Sequence, residues 1–298
     1  MLGDWIISIE GTPAAGQWAM ILALVSALAH AVLGALQKGR HDPWLTRGAV
    51  DLWVSAISIP LAIFVVPLPG PELWILFPGM MVIHLAFKWF LAMAYSRGAF
   101  TAVYPVVRGT GPLATVIFAS LIFGEFFTGG QWTGVALLSG GIFALAAFNL
   151  AQERIDPATL RAALALAFLT GIITAIYTVY DAFAIRRAED PFTFVVWFFL
   201  LEGVLFPALL GRHWKKALPD LRALVWRGLI GALVAYVSFS GVFLATRLDK
   251  VGEAAALRET SVVFAALIGW LFLGEKIGWL RAGCMVTIAL GAVLVEFG

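Results

Sequence analysis

The stretch that decides the fold is AFTAVYPVVRGTGPLATVIFASLIFGE, Ala99 to Glu125. It is apolar along most of its length and carries one cation, Arg108, deep inside it. About 150 residues later the pattern returns in EAAALRETSVVFAALIGWLFLGE, Glu253 to Glu275. Sliding one stretch onto the other places Arg108 on Arg258 and ends both stretches on Gly-Glu. Because the shift is half the chain length, the pattern predicts two copies of one unit.

The composition indicates that most of the surface faces lipid. Hydrophobic residues make up 61% of the chain, charged residues only 13%, and the mean hydropathy is +0.94. Soluble domains carry about 25% charged residues. The net charge of +2 gives a nucleic-acid partner no electrostatic basis. With one cysteine, Cys284, no intramolecular disulfide can form. The sequence therefore predicts an integral membrane protein that contacts the lipid bilayer.

The apolar segments have the length of membrane spans. A helix needs about 20 apolar residues to cross the hydrocarbon core. Ten segments meet this requirement: Gln17–Gln37, Gly48–Val66, Leu73–Tyr95, Ala99–Phe123, Trp132–Leu150, Leu160–Phe183, Phe192–Leu210, Leu221–Thr246, Val251–Leu273 and Gly278–Glu296. The predicted fold class is all-α, with ten transmembrane helices in two five-helix repeats, residues 1–150 and 151–298.

An odd number of spans in each repeat inverts the second repeat relative to the first. Inverted repeats are typical of secondary transporters, which place their substrate site at the repeat interface. The alternative is that two apolar helices align by composition alone. We disfavour it because the arginine, a threonine and the Gly-Glu positions all match.

Lysine and arginine in the short links predict the orientation. Twelve of these residues lie in the links that join spans 1 and 2, 3 and 4, 5 and 6, 7 and 8, and 9 and 10. The links on the other side of the membrane hold four: Arg186, Arg187, Arg247 and Lys250. The richer side is expected in the cytoplasm. We therefore expect both termini on the outer, periplasmic side of a bacterial-type inner membrane.

Arg108 is the first candidate functional residue. An ionisable group at bilayer depth costs at least about 2.5 kcal/mol, and it usually faces a cavity or a partner. Pro105, Gly109 and Gly111 predict a break or bend of the helix beside it, and hence a hinge. Tyr104 lies on the same helical face as Arg108. The alternative is a structural arginine tied to backbone carbonyls at the break.

Two further pairs of ionisable residues lie inside spans. His84 and Lys88, at i and i+4, share one helix face. A lysine there can hold a carboxylate or phosphate, and a histidine can bind substrate or carry a proton; a satisfied core histidine is the alternative. Arg258 and Glu259 point about 100° apart, so they cannot face the same partner.

The deep carboxylates and the tyrosines complete the set of candidates. Glu259 and Glu202 are interpreted first as neutralising the buried arginines, and otherwise, together with His30, as proton or coupling sites. Asp181 is another deep acid, without an assigned role. Three tyrosines are candidates for the cavity wall, because a phenol suits a mixed apolar and polar site: Tyr177, Tyr180 and Tyr236.

No enzyme motif accompanies these residues. Gly-x-Ser-x-Gly, His-Glu-x-x-His and the Walker loop are missing from the sequence. We therefore predict no catalytic residue, metal or cofactor. With no ATP-binding domain, transport would have to be driven by gradients.

Several motifs together resemble the EamA family of the drug/metabolite transporter superfamily. They are SALAHAVLGALQKG in the first span, AMAYSRGAFTAVYPVVRGTGPLATVIFASLIFGE with QWTGVALLSGGIFAL, AIYTVYDAFA, and LRETSVVFAALIGWLFLGE. The resemblance implies an inverted-repeat bundle that exports amino acids or related metabolites, with the fifth and tenth spans outside a central cavity. Within the family the chain looks like the YddG-type amino-acid exporters. The resemblance places Tyr104, His84 and Lys88 on the cavity wall.

The chain departs from part of this superfamily at one point. Small multidrug members carry a glutamate in the first helix, whereas the first span here has only His30. This departure disfavours proton-coupled export of cationic drugs.

The leading hypothesis is an exporter of amino acids that works by alternating access, with a monomer sufficient for the pathway. Exchange of phosphorylated metabolites or sugar nucleotides is the alternative within transport. A membrane enzyme or sensor without transport is the alternative from another class.

Overall fold

The computed structural model describes residues 3–37, 43–97, 100–151, 157–210, 221–273 and 278–298. Almost all of these residues are helical, and none of them forms a strand. The helices are α1 (Asp4–Ile9), α2 (Pro13–Gln37), α3 (Pro43–Phe64), α4 (Pro71–Tyr95), α5 (Phe100–Phe123), α6 (Gly129–Leu150), α7 (Pro157–Ile185), α8 (Pro191–Leu210), α9 (Leu221–Leu248), α10 (Val251–Arg258), α11 (Ser261–Leu273) and α12 (Trp279–Phe297).

The predicted fold class, an all-α integral membrane protein, is confirmed. Eight segments are long and apolar enough to cross a membrane, with α10 and α11 counted together, and α3 and α8 contain shorter apolar segments. Large side chains on the outside of the bundle are widely exposed, including Phe64 at 81%, Phe272 at 79% and Trp279 at 95%. An apolar outer surface is what a lipid solvent requires. The short helix α1 was not predicted.

Proline and a capping box set several helix starts. Five of the helices begin at a proline, where the missing N–H costs nothing and the fixed φ angle suits the first turn. At the start of α6, the Thr128 hydroxyl accepts a hydrogen bond from the Gln131 N–H, and the Gln131 amide accepts one from the Thr128 N–H. Local sequence therefore fixes these boundaries.

The helix of the first predicted span in each repeat, α2 or α7, packs against helices of the other repeat. α2 lies along α9 and contacts both α10 and α11, while α7 lies along α4 and α5. α3 packs on α8, and α6 packs on α12. The two predicted repeats are thus interlocked. This correspondence of contacts supports the two-repeat interpretation, which stays a prediction.

The helix break lies in the second repeat, not where the sequence predicted it. α5 is continuous from Phe100 to Phe123, with Pro105 and Pro112 inside it. The corresponding span is interrupted at Glu259 and Thr260, between α10 and α11. α5 is therefore not broken beside Arg108, while the alternative of a bend there and the roles of Pro105, Gly109 and Gly111 as hinge residues stay predictions.

Arginines connect the helix ends on one side of the bundle. The Arg247 guanidinium donates to the Ile185 carbonyl at 2.8 Å and to the Ala188 carbonyl at 2.6 Å, and it forms an ion pair with Glu10. Arg186 donates to the carbonyls of Thr246 and Asp249 at 2.8 and 2.7 Å. These contacts tie the end of α7 to the end of α9. Most of the lysines and arginines predicted for the opposite side lie outside the described residues.

Glu125, from the Gly-Glu of the first repeat, lies on the same side. Its carboxylate accepts hydrogen bonds from the backbone N–H groups of Val251 at 2.8 Å and Gly252 at 3.2 Å. Arg186 lies 3.3 Å from the same carboxylate. Glu125 therefore caps the N-terminus of α10, where backbone N–H groups and the helix dipole favour an anion. The matching Gly-Glu, Gly274 and Glu275, lies outside the described residues.

Candidate functional site

Two groups of buried charged side chains lie in the bundle. The first, here called the histidine cluster, joins four helices: Asp51 on α3, His84 and Lys88 on α4, Asp181 on α7 and Glu202 on α8. The second, the arginine cluster, consists of Arg108 on α5 with Arg258 and Glu259 at the end of α10. Both groups combine residues of the two predicted repeats.

His84 lies between two carboxylates in the histidine cluster. Its Nε2 is 2.9 Å from the Asp181 Oδ2, and its Nδ1 is 3.4 Å from the Glu202 Oε1. The Lys88 ammonium lies 2.9 Å from the same Glu202 oxygen and 3.9 Å from Asp51. The i and i+4 spacing on α4 thus directs both side chains to the Glu202 carboxylate. The predicted partners of Glu202 were arginines, whereas these contacts of Glu202 are with Lys88 and His84.

Aromatic rings enclose the imidazole. The Tyr177 ring centroid is 4.6 Å from that of His84, and Phe198 meets His84 edge-on at 5.1 Å. Phe87 packs edge-on against Tyr177, also at 5.1 Å. In these apolar surroundings an unpaired charge would be costly. The surrounding rings therefore explain why Lys88 and His84 both have carboxylate neighbours.

Arg108 is held by Glu259 and a hydroxyl. Its Nε lies 2.7 Å from the Glu259 carboxylate, and its Nη2 donates to the Ser261 hydroxyl at 2.5 Å. The guanidinium carbon is 5.7 Å from the centre of the Tyr104 ring. The alternative interpretation of Arg108 expected contacts with backbone carbonyls. The contacts found are with the side chains of Glu259 and Ser261. They connect the middle of α5 to the break between α10 and α11.

Arg258 has different surroundings. Its guanidinium lies over the Phe239 ring, 4.8 Å from the centroid, in a cation–π arrangement. No carboxylate in the described part of the chain lies within 4.0 Å of it, and its buried Nε has no hydrogen-bond acceptor there. Glu259 instead turns to Arg108, so the two neighbours on α10 take different partners.

Two small voids meet at Arg258. They share Thr178, Val242 and Arg258. The first void is lined also by Gly111, Pro112, Thr115, Thr174, Ala255 and Glu259. The second, here called the aromatic void, is lined also by Tyr177, Asp181, Phe239, Phe243 and Thr246. Neither void has room for an amino acid, so the described part of the structure is closed beside Arg258.

Three predicted site residues lie outside both clusters. The Tyr180 hydroxyl donates to the Leu76 carbonyl at 2.9 Å. The Tyr236 hydroxyl is hydrogen-bonded to Ser58. His30 lies 3.5 Å from the Ser238 hydroxyl. These contacts join neighbouring helices. They do not bring the three residues into the histidine and arginine clusters, which together are called the charged centre below.

Asp51 is the cluster member that sequence reasoning missed. It is 4% exposed within an apolar span, so the rule that selected Arg108 and Lys88 would have found it. Asp181 was recognised as a deep acid, but its pairing with His84 was not predicted. Ser261 carries no such signal, because serine is common in apolar helices.

The fold and its charged centre define the class: a multi-pass, all-α membrane protein. Residues 161–297, within the second predicted repeat, match the model of the EamA-like transporter family. The match covers less than half of the chain and shows a similarity to that family's model. A solved crystal structure is similar over 94% of this chain and 98% of its own, with a TM-score of 0.75 and 18% identity. This similarity shows a shared fold. No curated protein matches the sequence.

Proposed function

We propose that the protein is a secondary transporter that exports small zwitterionic or anionic metabolites, foremost amino acids. The observation that carries the proposal is the charged centre, where buried groups of both signs from both predicted repeats meet. Such groups are expensive at bilayer depth and typically mark a substrate or ion pathway. The match to a transporter family supports the transport class, and the chemistry of the centre supports the choice of substrate.

The cations of the centre are proposed to bind the substrate carboxylate. Lys88 and Arg108 now contact Glu202 and Glu259 at 2.9 and 2.7 Å. A substrate anion that reaches either cation competes with these carboxylates, so binding would rearrange contacts between helices. Tyr104 and Tyr177 are proposed to flank the substrate. A site that changes its ion pairs on binding suits alternating access, in which ligand and conformation are coupled.

Alternating access is proposed to occur by rocking of one repeat against the other. The helix interruption at Glu259 and Thr260 lies at the arginine cluster. Pro105, Gly109 and Gly111 lie in α5, the corresponding span of the first predicted repeat. We propose these positions as hinges. The protein is proposed to lie in a bacterial-type inner membrane with both termini outside, and to work as a monomer.

Phosphorylated substrates are the second candidate, favoured by three buried cations: Lys88, Arg108 and Arg258. The same centre holds four carboxylates of described residues, which repel a dianion. Mixed charge fits a zwitterion better. A membrane enzyme or sensor is the remaining alternative, and it would give no flux.

Counterflow in proteoliposomes tests the proposal. Vesicles that contain the purified full-length protein would be loaded with unlabelled threonine, methionine or tryptophan, and the entry of the labelled compound would be followed. We expect saturable exchange that falls at least tenfold in Lys88→Met and in Arg108→Gln. A matched surface variant, Arg187→Gln, should keep the parent rate, since Arg187 is 44% exposed.

Two results would contradict the amino-acid assignment. Exchange of a phosphorylated compound against phosphate, with no amino-acid flux, would favour the second candidate. Flux equal to that of protein-free vesicles for every compound would favour an enzyme or sensor.

A further inference from the structure

We propose that Asp181 and Arg258 together bind the backbone of a free α-amino acid, with Asp181 holding the ammonium group and Arg258 the carboxylate. The inference rests on the proposed function and narrows it. Free amino acids with a large apolar or aromatic side chain become the preferred substrates, and the aromatic void marks where they bind once the helices around it separate.

Unused hydrogen-bonding capacity is the first observation. Asp181 is 1% exposed; its Oδ2 contacts His84, whereas its Oδ1 has no hydrogen-bond partner among the described residues. Arg258 is 6% exposed, and its Nε is likewise without an acceptor there. A buried polar atom left unsatisfied is costly, so each such atom in a native structure calls for an explanation. A ligand that supplies both missing partners provides one.

The placement of the two groups is the second observation. Asp181 and Arg258 line the same void from α7 and α10, yet no nitrogen–oxygen pair between them lies within 4.0 Å in the described structure. A carboxylate and a guanidinium that line one void without pairing can each bind the oppositely charged group of one ligand. The ammonium and carboxylate of an α-amino acid have this property.

The walls of the void determine what side chain fits. Tyr177, Phe239 and Phe243 supply aromatic surface. The hydroxyls of Thr178 and Thr246 donate to backbone carbonyls of their own helices, at 2.8 and 2.9 Å, so their protons are already used. An apolar or aromatic side chain therefore has more to gain from this wall than a polar one.

The other cations of the two clusters, proposed above to meet the substrate carboxylate when their ion pairs open, are occupied in this closed arrangement. Lys88 and Arg108 each contact a carboxylate of the protein at 2.9 Å or less. Asp181 also makes the void unsuitable for a phosphate dianion, because like charges repel. The void is too small for an amino acid in this closed structure, so α7, α9 and α10 must separate to admit one.

The test compares ligands that lack one charge each. Binding of L-phenylalanine, L-methionine and L-leucine to the purified full-length protein would be measured directly. The methyl ester and the N-acetyl derivative of the tightest ligand would then compete against it. The ester keeps the ammonium and loses the carboxylate charge, while the N-acetyl derivative does the reverse. For the parent protein we expect both to bind about ten to a hundred times more weakly, since hydrogen bonds to charged groups are lost.

Each variant should stop discriminating against only one of the two derivatives. Arg258→Gln should bind the amino acid and its methyl ester equally, while it still rejects the N-acetyl derivative. Asp181→Asn should show the opposite pattern. Arg258→Lys, which keeps a cation, should retain part of the preference over the ester. The exposed pair Glu72→Gln and Arg187→Gln serves as a control for lost charge and should keep the parent pattern.

The outcomes separate the inference from the function beneath it. If the parent binds amino acids and folded Arg258 and Asp181 variants keep the parent discrimination, the inference is wrong and the transporter proposal stands. Should His84→Gln lose the same discrimination as Asp181→Asn, Asp181 acts by positioning His84 and not as a ligand. A parent protein that binds none of the free amino acids overturns the proposed substrate class itself.

Discussion

Arg108 and Glu259 illustrate how buried charges depend on one another. Both are less than 10% exposed, at 8% and 5%, and they lie 2.7 Å apart. Removing one partner of a buried pair leaves an uncompensated charge, which is far more costly than removing both. The pair therefore stabilises the closed structure only while it is complete.

This dependence gives a prediction for unfolding. Arg108→Gln should lower the free energy of unfolding by about 3 to 5 kcal/mol, because the Glu259 carboxylate is left buried and unpaired. Adding Glu259→Gln should recover a large part of that loss. Thermal unfolding of the detergent-solubilised variants measures both effects. A double variant as unstable as the two single losses added together would show that the two side chains do not interact.

At this scale the sequence identifies the charged residues but not their partners. Arg108, Lys88 and Arg258 could be found because each is an ionisable group within an apolar span. Their carboxylate contacts depend on which helices are neighbours, and hydropathy carries no such information. The hydrogen bonds of Tyr180 and Tyr236 to neighbouring helices were not predicted for a related reason, since a tyrosine hydroxyl that joins two helices has the same sequence pattern as one that faces a cavity. Their place on the cavity wall stays a prediction.

At the scale of elements, the backbones of α6 and α12 lie against each other at two glycines. A Cβ atom on Gly134 would lie 2.6 Å from the Val295 nitrogen, and one on Gly291 would lie 2.5 Å from the Leu138 nitrogen. Backbone atoms cannot move aside as a flexible side chain can. Small residues let membrane helices pack backbone to backbone, so these two positions set the distance between the helices.

Alanine substitution tests this contact. Gly134→Ala and Gly291→Ala should each destabilise the protein by about 1 to 3 kcal/mol through overpacking. Gly140→Ala and Gly283→Ala are matched controls on the same helices, because nothing lies within 4 Å of the added Cβ. The controls should be neutral or slightly stabilising, since alanine favours helix over glycine. Equal melting temperatures for all four variants would contradict the close packing.

Glu125 supports a second prediction at the scale of elements. Because its carboxylate accepts two N–H groups of α10 and contacts Arg186, Glu125→Ala should cost about 1 to 2 kcal/mol of stability, as loss of a helix cap does. Glu125→Gln keeps an acceptor oxygen and should cost less. Hydrogen exchange at the start of α10 measures the local effect. Unchanged exchange there in Glu125→Ala would show that the cap does not hold the helix.

The position of the helix break shows what sequence patterns miss among elements. Prolines in α5 predicted a break there, but membrane helices tolerate proline where neighbours satisfy the freed groups. In the second repeat, Thr260 donates its hydroxyl to the Leu257 carbonyl at 2.7 Å, and the Glu259 and Thr260 N–H groups bond three residues back. This local competition with the helix ends α10. A Glu-Thr-Ser run without proline or glycine gives little warning of it.

The architecture of the whole molecule was predictable where it depends on length and composition. The lengths of the apolar segments predict ten spans, and each corresponds to a helix or, for α10 and α11, to a helix pair. Within the described residues, eight of the ten are long and apolar enough to cross a membrane. Which spans are neighbours was not evident. α2 packs with α9 and α7 with α4, so the charged centre is assembled from helices distant in sequence.

The packing of helices of one predicted repeat against those of the other also explains the closed centre. Arg186 and Arg247 join the helix ends on one side, and the voids beside Arg258 are too small for a substrate. A transporter must open this centre during its cycle, whereas a merely structural charge network would stay shut.

Solvent access to Val242 tests this central claim most directly. Val242 lines both voids and is 3% exposed, and replacing the chain's one cysteine, Cys284→Ser, gives a cysteine-free background. Val242→Cys would be treated with a membrane-impermeant thiol reagent in sealed proteoliposomes, with Val295→Cys, buried between α6 and α12, as the matched control. The account predicts labelling of Val242→Cys under exchange conditions, protection by saturating amino acid, and no labelling of the control. Val242→Cys that stays unlabelled while the same vesicles exchange substrate would contradict a pathway through the charged centre.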